Sequence, residues 1–137
     1  MKALLIPVFL QVALTFGITL ALALSRVAAA KSGAVKLKDI ALPSTAWPDN
    51  VRQIGASYQN QLELPTLFYA LVALALTTGQ ADGVLTAGAF VFVLTRFGHA
   101  YIHLTSNHVL KRFKFFAAGV TVLLLMWVYF AARVLLA

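Results

Sequence analysis

The sequence predicts an all-α integral membrane protein, a four-helix up-down bundle. Three observations carry this. Of 137 residues, 61% are hydrophobic and 11% are charged, whereas soluble domains run at about 45–50% apolar and about 25% charged. The apolar residues fall in four runs, at about 3–30, 51–78, 83–105 and 112–136, each near or above the ~20 residues that cross a bilayer. The connections after the second and third runs are short, which makes successive helices antiparallel neighbours. No stretch is left for a second domain, so residues 1–137 read as one four-helix unit.

The first run opens on Met1-Lys2 and closes on VAAA at 27–30, the outline of a signal peptide. Its apolar stretch exceeds the usual core of ~7–15 residues and contains Gln11, Gly17 and Arg26, so it reads as a retained membrane helix. The one long connection is KSGAVKLKDIALPSTAWPDN at 31–50. Its Ser, Gly, Pro and Lys content suits the interface, and Trp47 is placed to anchor at the headgroups. Pro48-Asp49-Asn50 signals a helix start, with Asp49 or Asn50 as N-cap. The second run contains QNQLELP at 59–65. Pro65 has no amide to give the carbonyl of Gln61, which predicts a bend or a bound water beside Glu63. In TTGQADG at 77–83, Gly79 reads as a helix stop. SNHVLK at 106–111 joins the last two helices.

The net charge is +7, yet its distribution does not make a nucleic-acid surface, and no nucleic-acid partner is expected. Lys31, Lys36, Lys38 and Arg52 surround the first connection, and Lys111, Arg112 and Lys114 the third. The second connection has no basic residue and one Asp. Cytoplasmic loops are the ones enriched in Lys and Arg. Loops 31–50 and 106–111 are therefore expected in the cytoplasm and both termini on the opposite side, with Lys2 and Arg133 running against the trend. The chain has no cysteine, which excludes disulfides, a Cys nucleophile and thiolate metal sites. It has no nucleophile-elbow motif and no glycine-rich phosphate loop.

Polar groups at membrane depth cost about 2.5–3.5 kcal/mol per central charge on insertion scales and usually face a bundle interior or a cavity. In the second helix, Ala56, Asn60 and Glu63 share one face, with Arg52 and Gln53 one turn earlier. Gln59 and Gln61 lie off that face and read as helix contacts. In the third helix Arg96, His99, His103 and Asn107 form a stripe at spacings of 3, 4 and 4. Glu63 lies ~18 Å from the loop end of its helix and Arg96 ~16 Å from the same end of the next, at 1.5 Å per residue. The depths match, predicting a Glu63–Arg96 ion pair flanked by Asn60 and His99. Such a pair either holds two helices in register or belongs to a site, and spacing does not separate the two. His103, Asn107 and Arg112 carry the stripe outward to KRFK at 111–114, and a cationic cavity there suits an anionic ligand. His99 and His103 stand at an i, i+4 spacing that can bind a metal. The helix has no Glu beside them and the chain has three His in all, so no metal centre is expected.

N60-x-x-E63-x-P65 with L67-F68, and R96-F-G-H99-A-Y-I-H103 followed by Arg112, resemble the MAPEG superfamily, membrane-associated proteins in eicosanoid and glutathione metabolism. The resemblance covers about residues 3–136, and the motifs are specific in combination and weak singly. It implies a homotrimer with sites between subunits near the cytoplasmic face, where glutathione is bound. Carried over, it implies that Asn60 and Glu63 contact glutathione, that Arg96 is a buried arginine near it, and that Arg112 activates the thiol. The pattern of Arg52, His99, His103 and Asn107 completes the candidate binding set. Glutathione-using members usually carry an Arg four residues before the Asn, and here that position is Ala56. Arg52, a further turn away, replaces it only in part. A Tyr of several family enzymes corresponds here to His103. The chain looks like a bacterial branch, which would place it in the bacterial inner membrane.

Two readings follow from the resemblance. One is a glutathione- or other thiol-dependent transferase or peroxidase acting on lipophilic electrophiles. The other is a non-catalytic protein that uses the same cleft for lipid or for assembly. Ala56 favours the second and Arg112 the first. A proton or ion pathway along Glu63, His99 and His103 is a third.

Overall fold

A computed structural model describes residues 2–42 and 45–136; Pro43 and Ser44, in the long loop, lie outside the described residues. Five α-helices and one short 3-10 turn occur, with no strand among the described residues. They are α1 (Lys2–Lys31), the 3-10 turn (Leu37–Ile40), α2 (Asp49–Gln61), α3 (Leu64–Thr77), α4 (Gly83–Leu104) and α5 (Val109–Leu135). The expected second helix is thus two. Helices α1, α4 and α5 are each long and apolar enough to cross a membrane. With 13 and 14 residues, α2 and α3 cross only together. The bundle has four rods, one of them broken.

The break has a local cause. A helix through this region would bond the amide of residue 65 to the carbonyl of Gln61, and proline has neither the amide nor room for that carbonyl. Proline is well placed in the first turn of a new helix, and there α3 begins. The expected bend is a full interruption at Leu62–Glu63: the Leu62 amide turns back to the carbonyl of Gln59 at 3.0 Å, and the hydroxyl of Thr66 reaches the carbonyl of Leu62 at 2.7 Å.

Packing is inverted relative to a soluble protein. Phe16 and Leu94 are 70% and 68% exposed, while Arg96 is 1% exposed and Gln11, Ser57, Gln61, His99 and His103 are buried. Lipid, not water, explains an apolar exterior around a polar seam, and the chain is a multi-pass integral membrane protein. α4 packs most extensively on α5, and α1 lies against α2, α3 and α4. Gly98 permits the α4–α5 approach, since a Cβ there would run into the ring of Phe115. Across the core, Phe68 of α3 stacks on Phe92 of α4 at 4.8 Å. Gln61 joins α1 by accepting from Gln11 Nε2 at 3.0 Å, the helix contact expected of it. Gln59 makes no such contact and is exposed.

At the long-loop end, Val35 and Val51 are buried with Leu22 and Ala29, and Trp47 and Tyr58 pack on them. Neither Asp49 nor Asn50 caps α2. Pro48 holds the N-cap position, and Asp49 is the first helical residue. At the opposite end α3 stops as predicted, with Gly79 at φ +70° and the Gln80 amide on the carbonyl of Ala75 at 2.9 Å. Asp82 then caps α4. One carboxylate oxygen accepts from the Leu85 amide at 2.9 Å. The other accepts from Tyr129 Oη at 2.6 Å and Arg133 Nη1 at 2.7 Å. Burial works against the Asp82 charge, but these hydrogen bonds and the Arg133 charge outweigh it and hold the carboxyl below its ordinary range.

Candidate functional site

Four of the residues singled out by sequence meet around one cleft. Asn60, Glu63, His99 and Arg112 line a cavity of about 300 Å³, closed on its apolar side by Val109, Phe113 and Phe116. Each position has a structural reason. Asn60 is in the last turn of α2 and Glu63 in the break, where its backbone leaves helical geometry and its side chain is exposed. His99 is buried on α4. Arg112 is in the first turn of α5, and its Nη1 donates to Asn107 Oδ1 at 2.7 Å. Asn107 holds a left-handed turn at φ 48°, a conformation Asn tolerates better than most residues. Asn107, a residue of the expected binding set, fixes Arg112.

The predicted Glu63–Arg96 ion pair does not form. The ion pairs among the described residues are Arg52–Asp49 and Arg133–Asp82. The depth match assumed a continuous helix; at the break Glu63 leaves helical geometry and its side chain is exposed. The same break frees the carbonyl of Asn60, which in an intact helix would accept from the amide of residue 64. Arg96 Nη2 donates to that carbonyl at 3.1 Å. A cation at a helix C-terminus is also favoured by the helix dipole. Arg96 therefore caps α2 from the neighbouring helix and lies beneath the cleft, not in its lining.

His103 is likewise buried and outside the lining. Its ring meets that of His99 edge-on at 5.6 Å, and its backbone carbonyl accepts from Gln53 Nε2 at 2.7 Å. This bond ties the start of α2 to the end of α4. Loops 31–50 and 106–111 thus share one end of the bundle, as the antiparallel arrangement requires. Arg96 Nε and Nη1, His99 Nδ1 and His103 Nδ1 are buried without protein partners. This end holds polar capacity that its own bonds do not use.

Arg52 is not brought to this cleft. It lines a separate one with Arg26, Trp47 and Tyr58 and pairs with Asp49 at 3.1 Å. Arg52 stands one turn before Ala56, and its side chain lines the cleft with Arg26 and Trp47. No group of three or more His, Asp or Glu gathers among the described residues in a way that would hold a metal.

Sequence reasoning missed the apolar wall. Val109, Phe113 and Phe116 recur at spacings of 4 and 3 around Arg112, a helical stripe beside a cation. It also missed His108, whose Nδ1 accepts from the Lys111 amide at 3.4 Å and caps α5, so that α5 begins three residues earlier than the apolar run.

The cleft combines a guanidinium, a carboxylate, an amide and an imidazole with an aromatic wall. It can hold a zwitterionic or anionic group beside an apolar one. No curated protein and no solved structure matches this chain. A family model described as the MAPEG family matches residues 4–132, nearly its whole length. With that match and the membrane bundle around this cleft, the chain belongs to the MAPEG family.

Proposed function

We propose that this protein is a thiol-dependent transferase or peroxidase that takes glutathione, or a related thiol, and passes it to lipophilic electrophiles. The observation that supports this reading best is the meeting of Arg112 with Asn60 and Glu63 around one cleft that also has an aromatic wall. The Arg112 guanidinium favours a thiolate beside it, and the thiolate is the nucleophile. The thiol proton leaves to water, sulfur bonds to the electrophilic carbon, and the leaving group departs as an anion. Glu63 suits the ammonium of a thiol peptide and Asn60 its backbone. Phe113 and Phe116 give the electrophile an apolar approach from the bilayer. Asn107 holds Arg112, and His99 lines the floor.

Glutathione carries two carboxylates, and the cleft of one protomer presents one cation, Arg112. A second copy could supply another, which supports a homotrimer with the site between subunits. The basic loops 31–50 and 106–111 favour a cytoplasmic position for the cleft end and a bacterial inner-membrane setting.

The test is glutathione binding to the purified protein, with conjugation to a generic aryl halide. Binding at millimolar glutathione and turnover are expected. Arg112→Ala should lower turnover about 10²–10³-fold, the scale of one lost electrostatic stabiliser, while the protein keeps its oligomeric state. Absence of binding at millimolar concentration rejects glutathione as the thiol. Undiminished turnover in Arg112→Ala removes its catalytic role. A specific observation favours a second reading, non-catalytic lipid binding: Ala56 brings no cation and Arg52 serves another cleft. Retention of lipid without conjugation of any thiol would decide for it.

A further inference from the structure

A groove of about 400 Å³ runs along α4 and α5 towards the Asp82 end of the bundle. Leu85 and Met126, both buried, form its floor, and Val84, Val91 and Leu125, all exposed, form its rims. Gly88 keeps it open, since a Cβ there would stand 2.8 Å from Met126 Cγ. From Val84 to Val91 the groove extends ~10 Å at 1.5 Å per residue. One leaflet holds about 15 Å of hydrocarbon, half of the ~30 Å core. An apolar channel of that length, entered from a helix end, matches an acyl chain.

The mouth of the groove is polar. Tyr129 lines the groove and also a smaller cavity of about 270 Å³, together with Ala132, Arg133 and Leu136. The two spaces meet at Tyr129. Arg133 is in the last turn of α5, and Asp82 is the N-cap of α4. Such helix ends lie at the headgroup level, where Tyr is enriched. Arg133 Nη1 is committed to Asp82 at 2.7 Å and to Tyr129 at 3.0 Å. Its Nε and Nη2 make no hydrogen bond among the described residues, and its side chain is 45% exposed. One edge of the guanidinium fork is therefore unused. A phosphate takes such an edge through two parallel N–H···O bonds.

Head and tail together select the ligand. A free anion would leave the apolar channel unfilled, and a plain hydrocarbon would leave the arginine edge unpaired. We propose that the α4–α5 groove seats one acyl chain of a membrane phospholipid, with its phosphate on the unused edge of Arg133. The site does not rest on the thiol reading. At about 100° per residue, Leu125 and Tyr129 lie on the side of α5 opposite Phe113 and Phe116. A lipid in the groove and a ligand in the Arg112 cleft therefore do not compete.

The test uses the full-length protein in phosphatidylcholine vesicles containing a trace of phosphatidylcholine with a diazirine on one acyl chain. After photolysis, labelled residues are mapped by mass spectrometry. Phe9 and Leu94 are the controls, because both are more exposed than any rim residue of the groove. Label at Val91 and Leu125 should exceed label at the controls several-fold. Arg133→Gln should lower the groove label about fivefold, the effect of one basic residue against a lipid surface. Arg133→Lys keeps a cation for Asp82 and loses the fork, and should fall nearly as far. Val91→Phe obstructs the channel without touching Arg133 and should bring Leu125 down to the level of Phe9. That variant keeps the test decisive should the Arg133 variants fold poorly. Groove label no higher than at Phe9 and Leu94 in wild type would overturn the site. Full label in Arg133→Lys would overturn the phosphate contact. Equal label from a diazirine fatty acid would overturn the phospholipid in favour of a free carboxylate. Disulfide dimers of Leu125→Cys, in a chain with no other cysteine, would overturn it in favour of a second copy.

Discussion

The two ends of the bundle handle polar groups in opposite ways. At one end Asp82 closes a knot: the Leu85 amide, Tyr129 and Arg133 all reach its carboxylate, and Arg133 also reaches Tyr129 at 3.0 Å. At the other end Arg96, His99 and His103 are buried with several nitrogens unpaired, around a broken helix. The difference separates two uses of polarity in a membrane protein. A satisfied cluster fastens helices. An unsatisfied one carries a cost that a ligand, water or a neighbouring subunit can offset. The candidate cleft sits over the unsatisfied end.

Substitutions can break this contrast, and the largest effect on stability is expected at the knot. Asp82→Ala removes an N-cap, which alone costs about 1 kcal/mol, and strands Tyr129 and Arg133. It should lower thermal stability and leave glutathione binding unchanged, since the knot lies at the far end from the cleft. Unchanged stability would show that the knot fastens nothing. The pH dependence has a definite sign. Asp82 is held below its ordinary range in the fold, so its contribution is full above the unfolded value near 3.9 and fades as pH falls through the folded value. Wild type should lose stability in acid more steeply than Asp82→Asn. Identical acid profiles for the two would sink the assignment.

A smaller effect on stability, with a sharper effect on the cleft, is expected at Pro65. Pro65→Ala restores the amide that the carbonyl of Gln61 lacks and invites α2 and α3 to join. The fold should change in stability by less than about 1 kcal/mol. Joining the helices would draw Glu63 back into a helical register and release Arg96 from its bond to Asn60. Glutathione affinity should therefore fall several-fold while the thermal midpoint hardly moves. Unaltered affinity would show that the break does not position Glu63.

Much of this was legible in the sequence, for reasons that differ by residue. The membrane rods follow from composition and run length, which tertiary contacts do not override. Asn60, Glu63, His99 and Arg112 were legible as a constellation because polar groups at membrane depth are few and each marks a face. The partner of Arg96 was not legible. Whether proline bends or severs a helix depends on what waits to satisfy the freed carbonyl, and here that group comes from α4. The cleft that Arg52 lines was not legible for another reason. One helical turn places residues on a similar face only approximately, and the neighbouring helix α1, with Arg26 and Trp47, decides which cleft the side chain enters. The cap at Asp49 or Asn50 failed because Pro48 already ends the loop in extended geometry, at ψ 152°.

The smallest net effect on stability is expected at Arg96, the largest of the fully buried side chains. Arg96→Met takes away the cap on Asn60, worth about 0.3–1 kcal/mol as a cation at a helix end and up to about 2 when partly buried. It also removes the cost of burying a guanidinium whose Nε and Nη1 have no protein partner, and replacing buried charge by well-packed apolar volume is often neutral or favourable. The two changes oppose each other at similar size, so the thermal midpoint should stay close to that of wild type. Activity should not: without Arg96 the end of α2 loses its fixed carbonyl, and Asn60 and Glu63 lose the support that places them in the cleft. A stable, poorly binding Arg96→Met would show that the unsatisfied end is held for the site and not for the fold. A strongly destabilised one would show instead that Arg96 fastens helices as Asp82 does, and the contrast between the two ends would collapse.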